Sequence, residues 1–339
     1  MRCPRCKRNE RGAALVLALL VFALSTVLIV AMTRDFNRVY QQGSNGILAT
    51  QSHAYLRGAE GLATLALLAD DDADRKAEIE RDDLREFWAR EANPYPLEEG
   101  GWLVGRLEDL QGRFNLNQLA QRQEQGEGRP RFTAAQSQFI RLIQAVTEGE
   151  FGEIEAVAVT RAVGDWLDGD ANLRLDGAED DEYLGYTPAY RAANRPMASV
   201  SELRAVAGVT EELYRALEPW VTVWPQVPGR LNIHTAPVPV LRSLGEDTDL
   251  TPLSESDAEA LAADREDKGY ADIEEFLAHP VLVDKAEQMT ETRKLLGESS
   301  DYFLLRAQVE VADRNTQMYS VLERANRQVS VLYRTTGSL

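Results

Sequence analysis

Four oxygen-bearing residues stand at a spacing that can wrap a cation. Asp168, Asp170, Asn172 and Glu179 occupy the first, third, fifth and twelfth positions of an EF-hand-like register, in which successive oxygens surround one hard ion such as calcium. The sixth position is Leu173 instead of glycine and no clear second helix follows, so a strict EF-hand is not expected. Asp180 and Asp181 are close enough in sequence to substitute as ligands. Two other readings stay open: a solvated acidic turn, since Asp clusters are common in loops, and a magnesium site of a metal-dependent hydrolase. Other chemistry is scarce. His53, His234 and His279 share no ligand spacing, which leaves little for zinc or a histidine-based triad. Both cysteines, Cys3 and Cys6, lie in the first six residues, so no disulfide framework staples the fold.

The elements that must position the acidic loop are mostly helices. The chain has 339 residues, 44% of them hydrophobic, enough for two domains of ordinary size. From Thr133 to Leu296 it reads as almost wholly helical, with segments at Ala134 to Val146, Glu153 to Leu167, Val200 to Val206, Glu211 to Leu217, Val238 to Leu244, Ser254 to Asp264 and Ile273 to Leu277. The acidic loop follows the second of these. Before them, Gly101 to Asp109 alternates like a strand, and a short helix is expected around Asp82 to Ala92. After them come Tyr302 to Val311 and Val329 to Arg334, with Tyr319 to Arg324 pairing between them. The fold class is therefore α+β: a small antiparallel sheet split around a large all-α insertion.

Ser199 to Glu211 has the pattern of a helix-hairpin-helix with Gly208 at its turn, and Thr235 to Leu244 followed by Gly269 to Leu277 is a candidate second unit. In DNA-binding versions such hairpins hold phosphate through backbone amides. The net charge of −18 and the mixed flanking charges argue against nucleic acid. The hairpins are read as packing modules, with a membrane-anchored DNA receptor as the alternative function.

The N-terminus carries a different signal. Met1 to Gly12 holds five basic residues against Glu10, and Ala13 to Met32 then runs for twenty residues without a charge. Twenty helical residues span roughly 30 Å, the thickness of a bilayer's hydrocarbon core. The basic leader places the N-terminus in the cytoplasm and the bulk beyond the membrane. A removable secretory signal would have a shorter apolar region and a small-x-small cleavage site. Helical spacing continues from Asp35 to about Leu68, and Asp70-Asp71-Asp72-Asp74 marks the expected helix end.

The junction Arg11-Gly12-Ala13-Ala14-Leu15 resembles the processing site of type IV prepilins. Three further motifs follow in order: Glu108 to Asn117 (EDLQGRFNLN), Asp165-Trp166-Leu167-Asp168 with Gly177 to Asp180, and Leu231 to Pro237 (LNIHTAP). Together these resemble the type II secretion minor pseudopilin K family over nearly the whole chain. The resemblance implies cleavage between Gly12 and Ala13 by a prepilin peptidase, N-methylation of Ala13, and retention of the apolar helix in the bacterial inner membrane as a single pass with the bulk in the periplasm. It implies four parts: a leader at 1–12, a transmembrane helix at 13–32, a pseudopilin core from 33–118 and 297–339, and an inserted helical domain at 119–296. It also implies a non-enzymatic role capping the pseudopilus tip with minor pseudopilins I and J, and calcium in the helical domain. The secreted substrate and the outer-membrane secretin are further candidate partners. Most pseudopilins have a glutamate at the fifth position after the cut, where this chain has Leu17. A carboxylate in hydrocarbon needs a partner, which in the family is the terminal amine of the subunit above. Leu17 therefore fits a subunit with none above it.

Overall fold

The computed structural model describes residues 11–79, 81–98, 100–123 and 130–336. Residues 1–10, with Cys3 and Cys6 and most of the expected leader, lie outside the described residues, as do 124–129 of the polar loop.

Helix α1 (Arg11–Ala77) is 67 residues long. Its first half is exposed along its length, and its apolar window has a mean hydropathy of 2.9 with no residue buried. Beyond Leu48 one face packs down: Leu56, Ala59, Ala63 and Leu67 are buried, spaced three and four apart as one side of a helix requires. Between the two halves lies Gly43-Ser44-Asn45-Gly46, each glycine costing about 1 kcal/mol relative to alanine in a helix interior. The helix runs past the expected end near Leu68. Its acids do not repel it apart, because Asp70 accepts from Arg324 and Asp72 from Arg327. The expected helix at Asp82 to Ala92 is absent; that stretch is a series of turns, drawn out by Asp82 bonding the Ser300 amide.

Strands β1 (Tyr95–Pro96) and β2 (Trp102–Asp109) follow, then β3 (Phe114–Asn115). The helical region comprises α2 (Ala134–Val146), α3 (Glu153–Leu167), α4 (Asp180–Tyr183), α5 (Glu211–Leu217), α6 (Val238–Arg242), α7 (Glu255–Asp267), α8 (Ile273–Leu277) and α9 (Thr290–Lys294). Among them lie β4 (Val221–Thr222), which pairs in parallel with β3, and β5 (Leu231–Asn232), which pairs in parallel with β6 (Leu296–Gly297). This stretch is thus less uniformly helical than the sequence suggests, and Val200–Ala205 is a 3-10 turn. The chain ends in β7 (Tyr302–Val311), β8 (Arg314–Ala325) and β9 (Gln328–Thr336).

The five-stranded sheet has the order β1-β2-β7-β8-β9, antiparallel throughout. Leu107 sits opposite Leu305 and Asp109 opposite Phe303, so strands separated by the whole helical region are neighbours. One core fills the space between α1 and the sheet, with Trp88 edge-on to Phe303 at 5.1 Å. A larger core belongs to the helices, centred on Phe114 stacked on Phe139 at 5.2 Å, with Trp166, Leu213, Leu241 and Phe276. Helix starts follow their caps: Thr133 closes a capping box with Gln136, and Thr210, Ser254 and Asp272 cap α5, α7 and α8.

Candidate metal centre

Helix α3 ends where the acidic loop begins. Asp165 is in its last turn and Asp168 is its C-terminal cap, extended at φ −78° and ψ 159°. The chain then turns back, with the Asn172 amide donating to Asp170 Oδ1 at 2.8 Å. It returns through Gly177, where an added Cβ would stand 2.0 Å from Asp165 Oδ2. Glycine there is what lets the backbone close on the Asp165 carboxylate. Glu179 follows, and Tyr183 beyond it packs edge-on to Trp166 at 5.2 Å, which fixes the return of the loop against α3.

This path brings three of the residues singled out by spacing together. Carboxylate oxygens of Asp168, Asp170 and Glu179 lie within 4.8 Å of one another. Asn172 is exposed, and its carbonyl accepts from Arg122. Asp180 turns away to Arg191 and the Ala192 amide, and Asp181 is exposed. Gly12, Ala13 and Leu17 form the exposed start of α1.

Asp165, one helical turn before Asp168, joins the cluster and is fully buried. Two arginines brace it: Arg174 stands 3.2 Å from Asp165 and 2.9 Å from Asp168, and Arg122 lies 3.1 Å from both Asp168 and Asp170. Three of the four carboxylates, Asp165, Asp168 and Asp170, thus face the two guanidinium groups. Both Glu179 carboxylate oxygens are buried without a hydrogen-bond partner, as is Asp168 Oδ1. Burial, then the neighbouring carboxylates, pushes Glu179 up to about 7, and burial lifts Asp165 to about 6. A buried carboxylate without donors is costly, and a hard divalent cation takes such oxygens as ligands. The residues present therefore fit calcium.

A second acidic group was not foreseen. Asp70 and Asp74 on α1 meet Asp82 and Glu86 from the following turns, and Arg324 on β8 reaches both Asp70 and Asp82. Ser300 joins this group to Asp109: its amide donates to Asp82 Oδ2 at 2.7 Å and its hydroxyl to Asp109 Oδ2 at 2.6 Å. Asn232 and Thr235 also donate to Asp109, and Gln111 donates its amide. The motif residues of the first and last sequence signatures are thus the pins that tie β2 to the helical region. Gly112 belongs to this joint, because a Cβ there would meet Thr235 Oγ1 at 2.6 Å. Asn117 bridges Met197 and Val223 in the same way. His234 is buried beside them, and its pKa falls to about 4 through burial and then nearby Arg81.

At the first hairpin Gly208 has a φ of 79°, and at the turn joining α7 to α8 Gly269 has a φ of 74°. Arg204 and Arg215 beside the first turn are both paired with Glu211.

The family described as "Type II secretion system (T2SS), protein K" matches residues 112–226 and 231–294. Type II secretion system protein K of Pseudomonas aeruginosa is 32% identical over 334 residues, covering 98% of this chain and 94% of its own. The protein of the same name in Klebsiella pneumoniae is 31% identical, covering 97% of each chain. A chain in the crystal structure of the GspK-GspI-GspJ complex from enterotoxigenic Escherichia coli superposes with a TM-score of 0.75 at 30% identity, covering 88% of this chain and all of that one.

Proposed function

The chain belongs to the type II secretion system protein K family, and we propose that it is the minor pseudopilin that caps the tip of the pseudopilus and initiates its assembly with minor pseudopilins I and J. The observation that carries this reading is the likeness, over 88% of this chain, to a chain crystallised with GspI and GspJ. Its kind is that of a structural secretion component, not an enzyme.

Features of the chain support the finer reading. The long apolar helix is consistent with a single membrane anchor, which we assign to the inner membrane with the body in the periplasm. Leu17 leaves the first turns of that helix without a carboxylate to be neutralised by a subunit above. On the side of α1 opposite its packed face, Phe36, Tyr40, Ile47 and Leu65 are exposed, at spacings that return each of them to one face of a helix. That face suits the helices of partner pseudopilins. The helical region is tied to the turns that follow α1 through Asn232 and Asp82, and its bulk is one that every subunit of a narrow filament could not carry.

Processing between Gly12 and Ala13, methylation of Ala13, and division into leader, anchor, core and helical insertion belong to the same proposal. So does calcium, which would be held by Asp168, Asp170 and Glu179 with Asp165 beside them. Bound there, it would supply the positive charge that Arg122 and Arg174 leave short, ordering the loop that packs on Trp166. The paired arginines at the first hairpin and the acidic chain favour this role over a DNA receptor.

The test is to label the helical region of the full chain and image isolated pseudopili, with copy number counted by quantitative mass spectrometry. One label at one end and about one copy per filament are expected. Labels spaced along the shaft reject the tip reading.

A further inference from the structure

Glycines in this chain divide into two kinds. At Gly112, Gly164 and Gly177 an added Cβ would collide with a neighbour, so packing demands glycine. At Gly43 and Gly46 a Cβ would meet nothing within 4 Å, and neither has a positive φ. Nothing in the fold requires them, yet with Ser44 and Asn45 they make four consecutive weak helix formers in the middle of α1.

Their position is informative. N-terminal to them the helix is bare, with Phe36, Val39 and Tyr40 exposed. The first residue that packs on the sheet core is Leu48. Beside this point a cleft of about 420 Å³ opens between Asn45, Leu48 and Ser52 on the helix and Arg314 to Thr316 at the start of β8. Gly58 and Gly61 are equally open, but there Leu56, Ala59 and Ala63 clamp the helix to the sheet.

We propose that Gly43-Ser44-Asn45-Gly46 is a hinge at which the N-terminal arm of α1 bends relative to the sheet and helical region, with the cleft giving it room to lean. The arm can then follow its neighbours in the bilayer while the body is held by partners outside it. The role given to the hinge rests on reading Ala13 to Met32 as a membrane anchor; the bend itself does not.

The test uses the full chain with Cys3→Ser and Cys6→Ser, reconstituted in phosphatidylethanolamine–phosphatidylglycerol vesicles. Nitroxides are placed at Asn37→Cys and Ala54→Cys, about 26 Å apart along a straight helix, and their separation is read by pulsed electron–electron resonance. The wild-type four residues should give a broad distribution with a shorter component. Replacing Gly43, Ser44, Asn45 and Gly46 by alanine should collapse it to one peak near the straight-helix distance, at least two-fold narrower. A wild-type distribution already single, narrow and equal to that of the alanine variant overturns the hinge. So does an alanine variant that loses assembly with partner pseudopilins while its distribution is unchanged, because the glycines would then be a contact surface. Flotation of the vesicles reports the anchor separately, and the same distances measured in detergent test the bend whether or not the chain floats.

Discussion

The loop after α3 and the joint beneath β2 both gather carboxylates out of water, and they dispose of the charge in opposite ways. At the joint Asp109 accepts from four donors, and Asp82 and Asp70 share Arg324. In the loop Glu179 accepts from none. Buried polar groups in native folds are nearly always satisfied, so the first centre is complete as a structural pin and the second is complete only with something bound. Acidic residues alone would not separate them; the count of donors does.

The comparison is most severely tested at Arg324, whose side chain is buried between two acids. Arg324→Met should leave Asp70 and Asp82 without their cation and cost about 3–5 kcal/mol, the usual effect of breaking a buried pair. Urea denaturation of the full chain in detergent measures it. A loss under 1 kcal/mol would mean the joint is wetter and less committed than its hydrogen bonds imply.

Calcium should act on the loop alone. At a concentration one hundred times its dissociation constant, a cation that binds only the folded chain stabilises it by about 2.7 kcal/mol, read as a raised melting temperature. Magnesium should do less, since its small octahedral shell suits many carboxylates poorly. Glu179→Gln should remove most of the response, whereas Asp109→Asn should keep it. Equal melting curves in calcium and chelator would leave a solvated turn braced by arginines.

Acid stability distinguishes the centres only when it is compared with and without calcium. Burial, the largest cause for both, raises Asp70 and Asp109 to about 6, so the folded chain holds protons that the unfolded chain releases near 4. Their contribution is full below about pH 4 and is lost as pH rises through 6. Asp165, also at about 6, and Glu179, at about 7, slope the same way without calcium, and a bound cation should flatten their share by holding them charged. In saturating calcium the remaining fall between pH 4 and 6 should belong to the joint, and Asp109→Asn should reduce it by about 2 kcal/mol. A slope that disappears entirely in calcium would contradict this assignment.

The sequence disclosed local order well and long-range pairing poorly. Helices at Ala134–Val146, Glu153–Leu167, Glu211–Leu217 and Ile273–Leu277 and the strand at Tyr302–Val311 have the bounds their periodicity suggests, because caps such as Thr133 and Thr210 are local signals. The end of α1 was misplaced because its acids are neutralised by Arg324 and Arg327, more than 250 positions away. Residues 82–92 form turns where local pattern predicts a helix for the same reason: Asp82 accepts from the distant Ser300 amide. In the loop, spacing picked out Asp168, Asp170 and Glu179, and Asp165 could have been found one helical turn earlier. Arg122 could not, since nothing in the pattern of residues 46 positions apart joins it to Asp168.

The smallest expected effect tests the edge of the loop centre. Asp181 was a candidate ligand by spacing, but it is exposed and is not among the carboxylates that converge. Asp180 is committed to Arg191 and the Ala192 amide. Asp181→Asn should therefore change stability by no more than about 0.5 kcal/mol, as exposed substitutions do, and leave the calcium-induced rise in melting temperature intact. Asp180→Asn should cost slightly more through its hydrogen bonds while also sparing the calcium response. The two variants are informative because they keep the local charge change of Glu179→Gln without touching the converging oxygens. If either abolishes the response, the loop must rearrange on binding so that α4 turns its first residues inward, and the ligand set extends past Glu179. If both spare it, the ion is held by the oxygens that the fold leaves without donors, and general acidity of the loop contributes little.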